Sequence, residues 1–211
     1  MEKSQVICAD ALQYLQDLPD HSVPNILTGL PDLDELSDDM TVDEYLLWYR
    51  EVMDLLLSKI SKSGYLILIQ TDRKFRRQLL DKSLLSSVSA MGWGAKQISH
   101  KIALLRDIDK TNLFRPTYSH VLCYSYEGST GIATPDVIPV SKLLYKNGSH
   151  PLAVRRGLEF IKKQNPKQLS VLDPFVGRGT TIKIGEELGF KVTGIDIDEE
   201  QCKYARKFIP D

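Results

Sequence analysis

Long apolar runs are absent from this chain of 211 residues. No stretch reaches the roughly 18 consecutive apolar residues that a membrane-spanning helix requires. The first ten residues have no basic start that leads into an apolar segment, as a secretion signal would. We therefore expect an intracellular protein, cytoplasmic or nuclear, that does not act at a membrane.

Cysteine is scarce, since the chain contains only Cys8, Cys123 and Cys202. The three are far apart in sequence and form neither a Cys-x-x-Cys pair nor a Cys/His cluster, which argues against a disulfide framework and a structural zinc site. The sequence predicts a reducing compartment and no metal site.

A surplus of charge of one sign is also absent. The 27 Lys and Arg residues against 28 Asp and Glu residues give a formal net charge of -1. No global field therefore draws the protein to nucleic acid, and any site for a polyanion must be a local patch. The length, with 42% hydrophobic and 26% charged residues, is typical of a single globular domain.

Short apolar segments alternate with helical patterns along the chain. Period-two alternation and β-branched residues predict strands at 5–8, 24–27, 65–70, 98–104, 119–126, 169–172 and 191–195. Apolar residues at helical spacing predict helices at 11–18, 42–61, 74–90, 150–163, 180–188 and 199–208. This alternation predicts an α/β fold, with a mostly parallel sheet covered on both faces and an antiparallel edge formed by the strands before residue 144.

The most informative stretch is LSVLDPFVGRGTTIKIGEELGFKVTGIDID, residues 169–198, which has the pattern strand, glycine loop, helix, strand, acid. Gly177 and Gly179 permit a tight turn and the close approach of a ligand, and the helix that opens at Thr180 favours a negative group. Asp196, at the end of the next strand, can accept hydrogen bonds from a ribose diol. The spacing is that of a nucleotide-binding or nucleoside-binding βαβ unit.

The residues of this loop narrow the choice among ligand classes. A dinucleotide fingerprint requires a third glycine where Ile182 stands, and the Gly-Lys-Ser/Thr of a phosphate loop is absent. S-adenosylmethionine has a ribose and adenine but no phosphate, and Asp173 is placed to face its ammonium while the helix N-terminus faces its carboxylate. The alternative is an ordinary βαβ unit whose glycines only form a turn.

DPFVGRGTT at residues 173–181 is similar to the cofactor motif of the N4-cytosine and N6-adenine amino-methyltransferases, in the circularly permuted order that places the cofactor loop last. Four more segments resemble this family: ICADALQYLQDLPDHSVPNILTGL at 7–30, YLLWYREVMDLLLSKISKSGYLIL at 45–68, RPTYSHVLCYS at 115–125 and NGSHPLAV at 147–154. The resemblance covers essentially the whole chain. It implies a Rossmann-like fold of seven strands, mostly parallel with one antiparallel edge strand.

The resemblance also implies the organisation and the cofactor contacts. We expect one domain over residues 1–211, with a catalytic-loop half (1–126), a connection (127–148) and a cofactor-loop half (149–211). The cofactor is expected to be S-adenosylmethionine. Its predicted contacts are Asp10, Ala11, His150, Pro151, Asp173, Phe175, Gly177, Gly179, Thr180, Thr181 and Asp196. For His150 the alternative role is that of a helix-start residue.

The catalytic loop departs from the family pattern, which is Asp, Asn or Ser followed by Pro-Pro and an aromatic residue. This chain has Gly29, Leu30, Pro31 and Asp32 at these positions. In the family, the loop accepts hydrogen bonds from the target amino group and its ring stacks on the flipped base. We predict Leu30, Pro31 and Asp32 as catalytic residues, with the Leu30 carbonyl and the Asp32 carboxylate holding or deprotonating the acceptor. The alternatives are a degenerate loop and a plain strand-to-helix turn capped by Asp32.

A local basic cluster consists of Arg73, Lys74, Arg76 and Arg77 around Phe75, and it predicts phosphate contacts with a stacking ring. The alternative is the solvated face of an amphipathic helix. No long recognition region is present, which favours a structured RNA, a small substrate or a partner subunit that supplies recognition.

The combined expectation is an S-adenosylmethionine-dependent methyltransferase that acts on nucleic acid, with RNA slightly favoured over DNA. Two alternatives stay open: a non-catalytic S-adenosylmethionine-binding subunit of a methyltransferase complex, and a small-molecule methyltransferase.

Overall fold

The structure, a computed structural model, describes residues 3–75, 78–113, 116–131, 133–145 and 148–210. Its strands are β1 (Gln5–Cys8), β2 (Ile26–Thr28), β3 (Leu66–Gln70), β4 (Arg73–Phe75), β5 (Gln78–Leu80), β6 (Lys96–Leu104), β7 (Tyr118–Ser125), β8 (Val137–Ile138), β9 (Ser170–Asp173) and β10 (Lys191–Asp196). Its helices are α1 (Ala11–Asp17), α2 (Leu33–Leu36), α3 (Val42–Lys59), α4 (Lys82–Gly92), α5 (Pro151–Gln164), α6 (Thr180–Leu188) and α7 (Glu199–Arg206). None of the helices in these ranges combines the length and the apolar character needed to cross a bilayer.

The main sheet has the strand order β1-β10-β9-β2-β3-β7-β6-β8. Strands β1, β10, β9, β2 and β3 are parallel, and β7 runs antiparallel to both of its neighbours. The predicted α/β class with a mostly parallel sheet is confirmed. The antiparallel strand, however, lies inside the sheet rather than at its edge. The backbone of β8, a strand that was not predicted, pairs with the outer side of β6 and becomes the edge.

Helices cover both faces of this sheet, as its buried parallel strands require. Helices α1, α3 and α4 pack on one face and α5, α6 and α7 on the other. A capping box opens α3, with Glu44 N donating to Thr41 Oγ1 at 3.3 Å and Thr41 N donating to Glu44 Oε2 at 2.8 Å. Not every apolar residue of α3 faces the core, since Leu47 is 70% exposed.

The helix predicted at 74–90 is wrong in its first half. Strands β4 and β5 pair antiparallel as a hairpin there, so the backbone groups of Arg73–Phe75 and Gln78–Leu80 bond across strands and not along a helix. Helix α4 begins only at Lys82, because Asp81 Oδ1 accepts a hydrogen bond from Leu84 N at 2.9 Å and caps its first turn.

Candidate active site

Four parallel strands bring polar residues to one edge of the sheet. Strands β1, β10, β9 and β2 lie side by side, and their carboxyl ends lead to Asp10, Asp196, Asp173 and Thr28. In the register of the sheet, Cys8 is opposite Asp196 and Gly194 is opposite Asp173. The edge at the carboxyl ends of parallel strands is where open α/β sheets bind ligands. The structure therefore places the predicted acids of both halves of the chain on one ligand-binding edge.

The loop after β9 adopts the conformation for which its glycines were singled out. Gly177 has φ 54° and Gly179 has φ 88°, both in the left-handed region that favours glycine. Gly177 N donates to Asp196 Oδ2 at 2.9 Å, so the loop is tied to the end of β10. Burial, as the largest cause, raises the pKa of Asp196 above its usual value.

Asp173 is 3% exposed and lies at the centre of a small hydrogen-bond network. Its Oδ1 accepts from Thr28 Oγ1 at 2.7 Å and from Phe175 N at 3.2 Å. Burial raises the pKa of Asp173 to about 6, although hydrogen bonds from Thr181 and Thr28 favour the charged form. A buried carboxylate of this kind would be stabilised by a cation, so the site fits the ammonium group of S-adenosylmethionine.

The N-terminus of α6 is hydrogen-bonded to Tyr145, a residue that the sequence did not indicate. Thr180 N donates to the hydroxyl of Tyr145 at 2.8 Å, and this hydroxyl also shares a hydrogen bond with Thr180 Oγ1 at 2.7 Å. This first N–H of the helix therefore has a protein partner rather than being open to a ligand carboxylate. Thr180 and Thr181 are both buried and support the loop from within. A direct contact between either threonine and the cofactor stays a prediction.

His150 starts a helix. It is 2% exposed, its Nδ1 accepts from Ala153 N at 3.2 Å, and its Nε2 donates to Leu104 O at 3.1 Å. Pro151 is the first residue of α5, and burial lowers the pKa of His150 so that the ring stays neutral. A cofactor contact through either ring nitrogen would have to break one of these bonds, so the geometry favours the helix-start alternative.

Asp10 and Ala11 lie at the start of α1. Asp10 is exposed and caps this helix, with its Oδ1 accepting from Gln13 N at 2.9 Å, while the side chain of Ala11 is buried in the core. Ala9 N donates to Asp196 O at 2.9 Å, which holds this turn beside the end of β10. Asp10 is therefore near Asp196, the residue predicted to bind the ribose hydroxyls. The contact of Asp10 with adenine stays a prediction.

The loop after β2 is tightly packed. A side chain at Gly29 would lie 2.9 Å from Ile69 O, so glycine is required by the close approach of β3. Leu30 is buried, and Pro31 O accepts a hydrogen bond from the hydroxyl of Tyr45 at 3.0 Å. The loop therefore turns its backbone toward α3.

Asp32 differs from the expected proton acceptor. It is 5% exposed and forms an ion pair with Lys82, whose side chain is also buried. It begins α2 in a capping box, with Asp32 N donating to Glu35 Oε2 at 2.9 Å. The carboxylate of Asp32 is therefore already engaged by the lysine ammonium inside the protein. The strand-to-helix alternative describes Asp32 better than the catalytic prediction does.

Lys82 is held in turn by a second buried group. Its backbone N donates to Asp72 Oδ1 at 2.9 Å, and His120 Nε2 donates to Asp72 Oδ2 at 3.0 Å. The loop after β2, residues 29–32, is thus connected to β7 through side chains far apart in sequence.

The predicted phosphate-contact cluster lies beside this loop. Arg73 pairs with Asp34 of α2 at 2.8 Å, and Lys74 Nζ donates to Asn112 O at 3.3 Å. Arg76 and Arg77 lie outside the described residues. Arg73 and Lys74 lie on β4 rather than on a helix face, and the contact of the cluster with phosphates stays a prediction.

Comparison with known proteins supports the likeness to methylases. A protein family described as DNA methylase matches residues 157–207, which include the glycine loop, Asp173 and Asp196. Residues 157–207 therefore resemble a DNA methylase. The ribosomal protein L11 methyltransferase of Dictyoglomus turgidum is 25% identical over 201 residues, which cover 87% of this chain and 63% of that protein. The methylase-like chain therefore spans less than two thirds of that relative's length.

Solved structures share the fold of the methylase-like chain. The PvuII DNA methyltransferase, which is cytosine-N4-specific, has a TM-score of 0.77 at 13% identity and covers 100% of this chain and 88% of its own. A putative DNA modification methylase of Thermus thermophilus, solved in complex with S-adenosylmethionine, has a TM-score of 0.71 at 15% identity over 97% of this chain and 93% of its own. At these identities the likeness establishes the fold.

Substitution of Gly179 by Ala should destabilise the protein by about 2–4 kcal/mol, because the left-handed conformation and a steric clash act together. The added Cβ would lie 2.9 Å from both Cα and Cβ of Ala205 in α7. Gly189→Ala is the matched control, since its φ of 79° is similar and no atom lies within 4 Å of the added Cβ. Urea unfolding should show a clearly larger loss for Gly179→Ala. Equal losses would mean that α7 does not pack on the loop.

Proposed function

We propose that the protein transfers a methyl group from S-adenosylmethionine to an amino group of a DNA base. The observation that carries the proposal is the arrangement of Asp173, Asp196 and the loop with Gly177 and Gly179 along one edge of a methyltransferase-type sheet. The matched DNA methylase segment contains all of these residues. The PvuII and Thermus thermophilus enzymes, which share the fold, are described as DNA methylases.

The residues at this edge fit each part of S-adenosylmethionine, which supplies a methyl group on a cationic sulfur. Asp196 accepts hydrogen bonds from the ribose hydroxyls, and Asp173 balances the ammonium. Gly177 and Gly179 allow the backbone to approach because they have no side chain. The remaining predicted contacts, among them Asp10 and Phe175, complete this site in our proposal.

The acceptor is held by the loop after β2. Because Gly29 has no side chain and Asp32 is paired with Lys82, the Leu30 backbone carbonyl is our candidate to accept a hydrogen bond from the base amino group. This loop adjoins Thr28, which bonds Asp173 directly, so acceptor and cofactor sites meet at the end of β2 and β9. With S-adenosylmethionine bound, the loop would hold the amino nitrogen in line with the bond between methyl carbon and sulfur, and this positioning would supply much of the rate. The C–N bond would form as the C–S bond breaks, S-adenosylhomocysteine would leave, and the amino proton would pass to solvent.

DNA takes precedence over RNA as the proposed acceptor. The preference for RNA came from the absence of a long recognition region, and the comparisons give it no support. The β4–β5 hairpin, with Arg73 and Lys74, is the proposed phosphate-contacting element, and a partner subunit would supply sequence recognition.

We also propose that residues 1–211 work as one permuted domain, with the halves 1–126 and 149–211 joined through 127–148.

The test is transfer of labelled methyl groups from S-adenosylmethionine to DNA, RNA, protein and small-molecule fractions, with DNA made by PCR so that none of its base amino groups is methylated. We expect label in DNA. Asp196→Asn should weaken cofactor binding roughly ten- to hundred-fold, because a charge-assisted hydrogen bond is lost. Asp198→Asn is the matched control, since Asn can keep the helix cap that Asp198 provides.

Other outcomes of this experiment would replace the proposal. Label in RNA would restore the earlier preference, and label in protein would follow the ribosomal protein relative. Cofactor binding without transfer to any fraction would indicate a non-catalytic subunit. Absence of cofactor binding would contradict the assignment of the whole edge.

A further inference from the structure

The loop after β2, residues 29–32, is called the acceptor loop below, and it contains no aromatic side chain on which a base could stack. A base that is turned out of its helix needs an aromatic or apolar surface to replace the stacking it has lost. Asp32 stands where the resemblance places an aromatic residue, and its carboxylate is buried against Lys82. If the proposed function holds, the stacking surface must therefore come from another element of the protein.

Trp48 of α3 lies between the two loops that form the site. Its ring stacks on Tyr45, with centroids 5.8 Å apart and planes 24° apart, and Tyr45 bonds Pro31 O. Its ring also contacts Phe175 of the cofactor loop, with centroids 6.0 Å apart at 65°. The first turns of α3 thus place an indole at the junction of the acceptor loop and the cofactor loop.

Burial separates Tyr45 from the other two rings, since Trp48 and Phe175 are both half-buried. Tyr45 is fully buried and fixes the indole from behind, whereas Trp48 is half-buried and keeps part of its ring accessible. Phe175 belongs to the glycine loop, and its backbone N donates a hydrogen bond to the carboxylate of Asp173. Of the two half-buried rings, Trp48 is the one that stacks on Tyr45 and so lies beside the loop that follows β2.

We propose that Trp48 supplies the stacking surface for the acceptor base, the role that Asp32 cannot fill. The inference rests on the proposed function and specifies its acceptor as a planar heteroaromatic base. Stacking tolerates different bases, because each has a π-face, so Trp48 favours base binding without selecting a sequence. Sequence selection would then come from the hairpin or from a partner.

Kinetics of Trp48 variants test the role. In methyl transfer to PCR-made DNA, Trp48→Leu should raise KM for DNA roughly ten-fold, in line with the loss of one stacked base. Trp48→Phe should recover most of this loss, since it keeps a ring. Cofactor affinity should stay within about two-fold of wild type, because stacking on the base leaves the cofactor contacts in place. Trp93→Leu is the matched control, since Trp93 bonds Asp54 and belongs to the end of α4.

A binding measurement decides the case if Trp48→Leu folds poorly. The variant Trp93→Phe keeps Trp48 as its one tryptophan. A mixed-sequence single-stranded oligodeoxynucleotide should quench its emission, and an abasic oligonucleotide of the same length should not.

The outcomes separate this inference from the proposed function. Suppose that the wild type methylates DNA. An unchanged KM for DNA in Trp48→Leu, or equal quenching of Trp48 by both oligonucleotides, would then overturn the inference and leave the proposed function standing. If Trp48→Leu lowered cofactor affinity and left the KM for DNA unchanged, the Trp48 ring would instead contact the cofactor. Base-dependent quenching without any methyl transfer would support the stacking role and contradict the function.

Discussion

Asp173→Asn should abolish tight cofactor binding and at the same time stabilise the fold at neutral pH. Burial raises the pKa of this carboxyl from 3.8 to about 6. Because the pKa in the folded protein lies above that in the unfolded chain, the charged carboxylate destabilises the folded state above about pH 6. That penalty is relieved as the pH falls through 6 toward 4. At about 1.4 kcal/mol for each pH unit, it is on the order of 3 kcal/mol at pH 7.

The neutral amide avoids this penalty but loses the charge that faces the ammonium. We expect Asp173→Asn to unfold in urea with a gain of about 1–3 kcal/mol at pH 7.5 and no gain near pH 4, because the wild-type carboxyl is then mostly protonated. Calorimetry should show cofactor affinity reduced roughly hundred-fold. In the wild type, affinity should weaken as the pH falls below about 6.

The control for this prediction is Asp198→Asn, whose side chain caps α7 and does not contact Asp173 in the structure. It should leave both the affinity and the pH dependence of stability unchanged. Cofactor binding by Asp173→Asn at wild-type affinity would show that the ammonium is held elsewhere. A loss of stability at pH 7.5 would show that hydrogen bonds from Thr28 and Thr181 outweigh burial.

Lys82→Met should be the most destabilising substitution near the acceptor loop. It would leave the buried carboxylate of Asp32 without the positive charge of its ion pair, and removal of one partner of such a pair costs about 3–5 kcal/mol. The double variant Asp32→Asn with Lys82→Met should recover most of this loss, because Asn is a good helix cap and carries no charge. Urea unfolding of the wild type, both single variants and the double variant gives the coupling energy between the two residues.

Arg73→Met provides the contrast for Lys82→Met. It removes an ion pair with Asp34 in which the Asp34 side chain is 44% exposed, so the expected loss is under about 1 kcal/mol. A loss as small as this for Lys82→Met would mean that the Asp32–Lys82 pair is solvated. Failure of the double variant to recover stability would mean that Lys82 acts mainly through packing against Tyr45.

The sequence by itself determined the elements whose signals are local. The strand and helix around the glycine loop were predicted to within one residue at each end, since Gly177, Gly179 and the following apolar pattern are contiguous. The Thr41–Glu44 cap and the start of α1 are equally local, because the partners are three residues apart. The glycine turn in DPFVGRGTT was predicted for the same reason, because the residues that set its conformation are contiguous.

Only the tertiary structure decided how distant residues meet. Lys82 neutralises Asp32 from 50 positions away, and Thr28 bonds Asp173 from 145 positions away. Nothing in the spacing of either residue indicates its partner, because contacts across a sheet depend on strand order and helix packing. The hairpin before α4 was missed for a related reason: pairing across strands outweighed the local helical pattern of residues 74–80. The conformation of the glycine loop was therefore readable from the sequence, whereas the surroundings of the loop after β2, Trp48 included, required the fold.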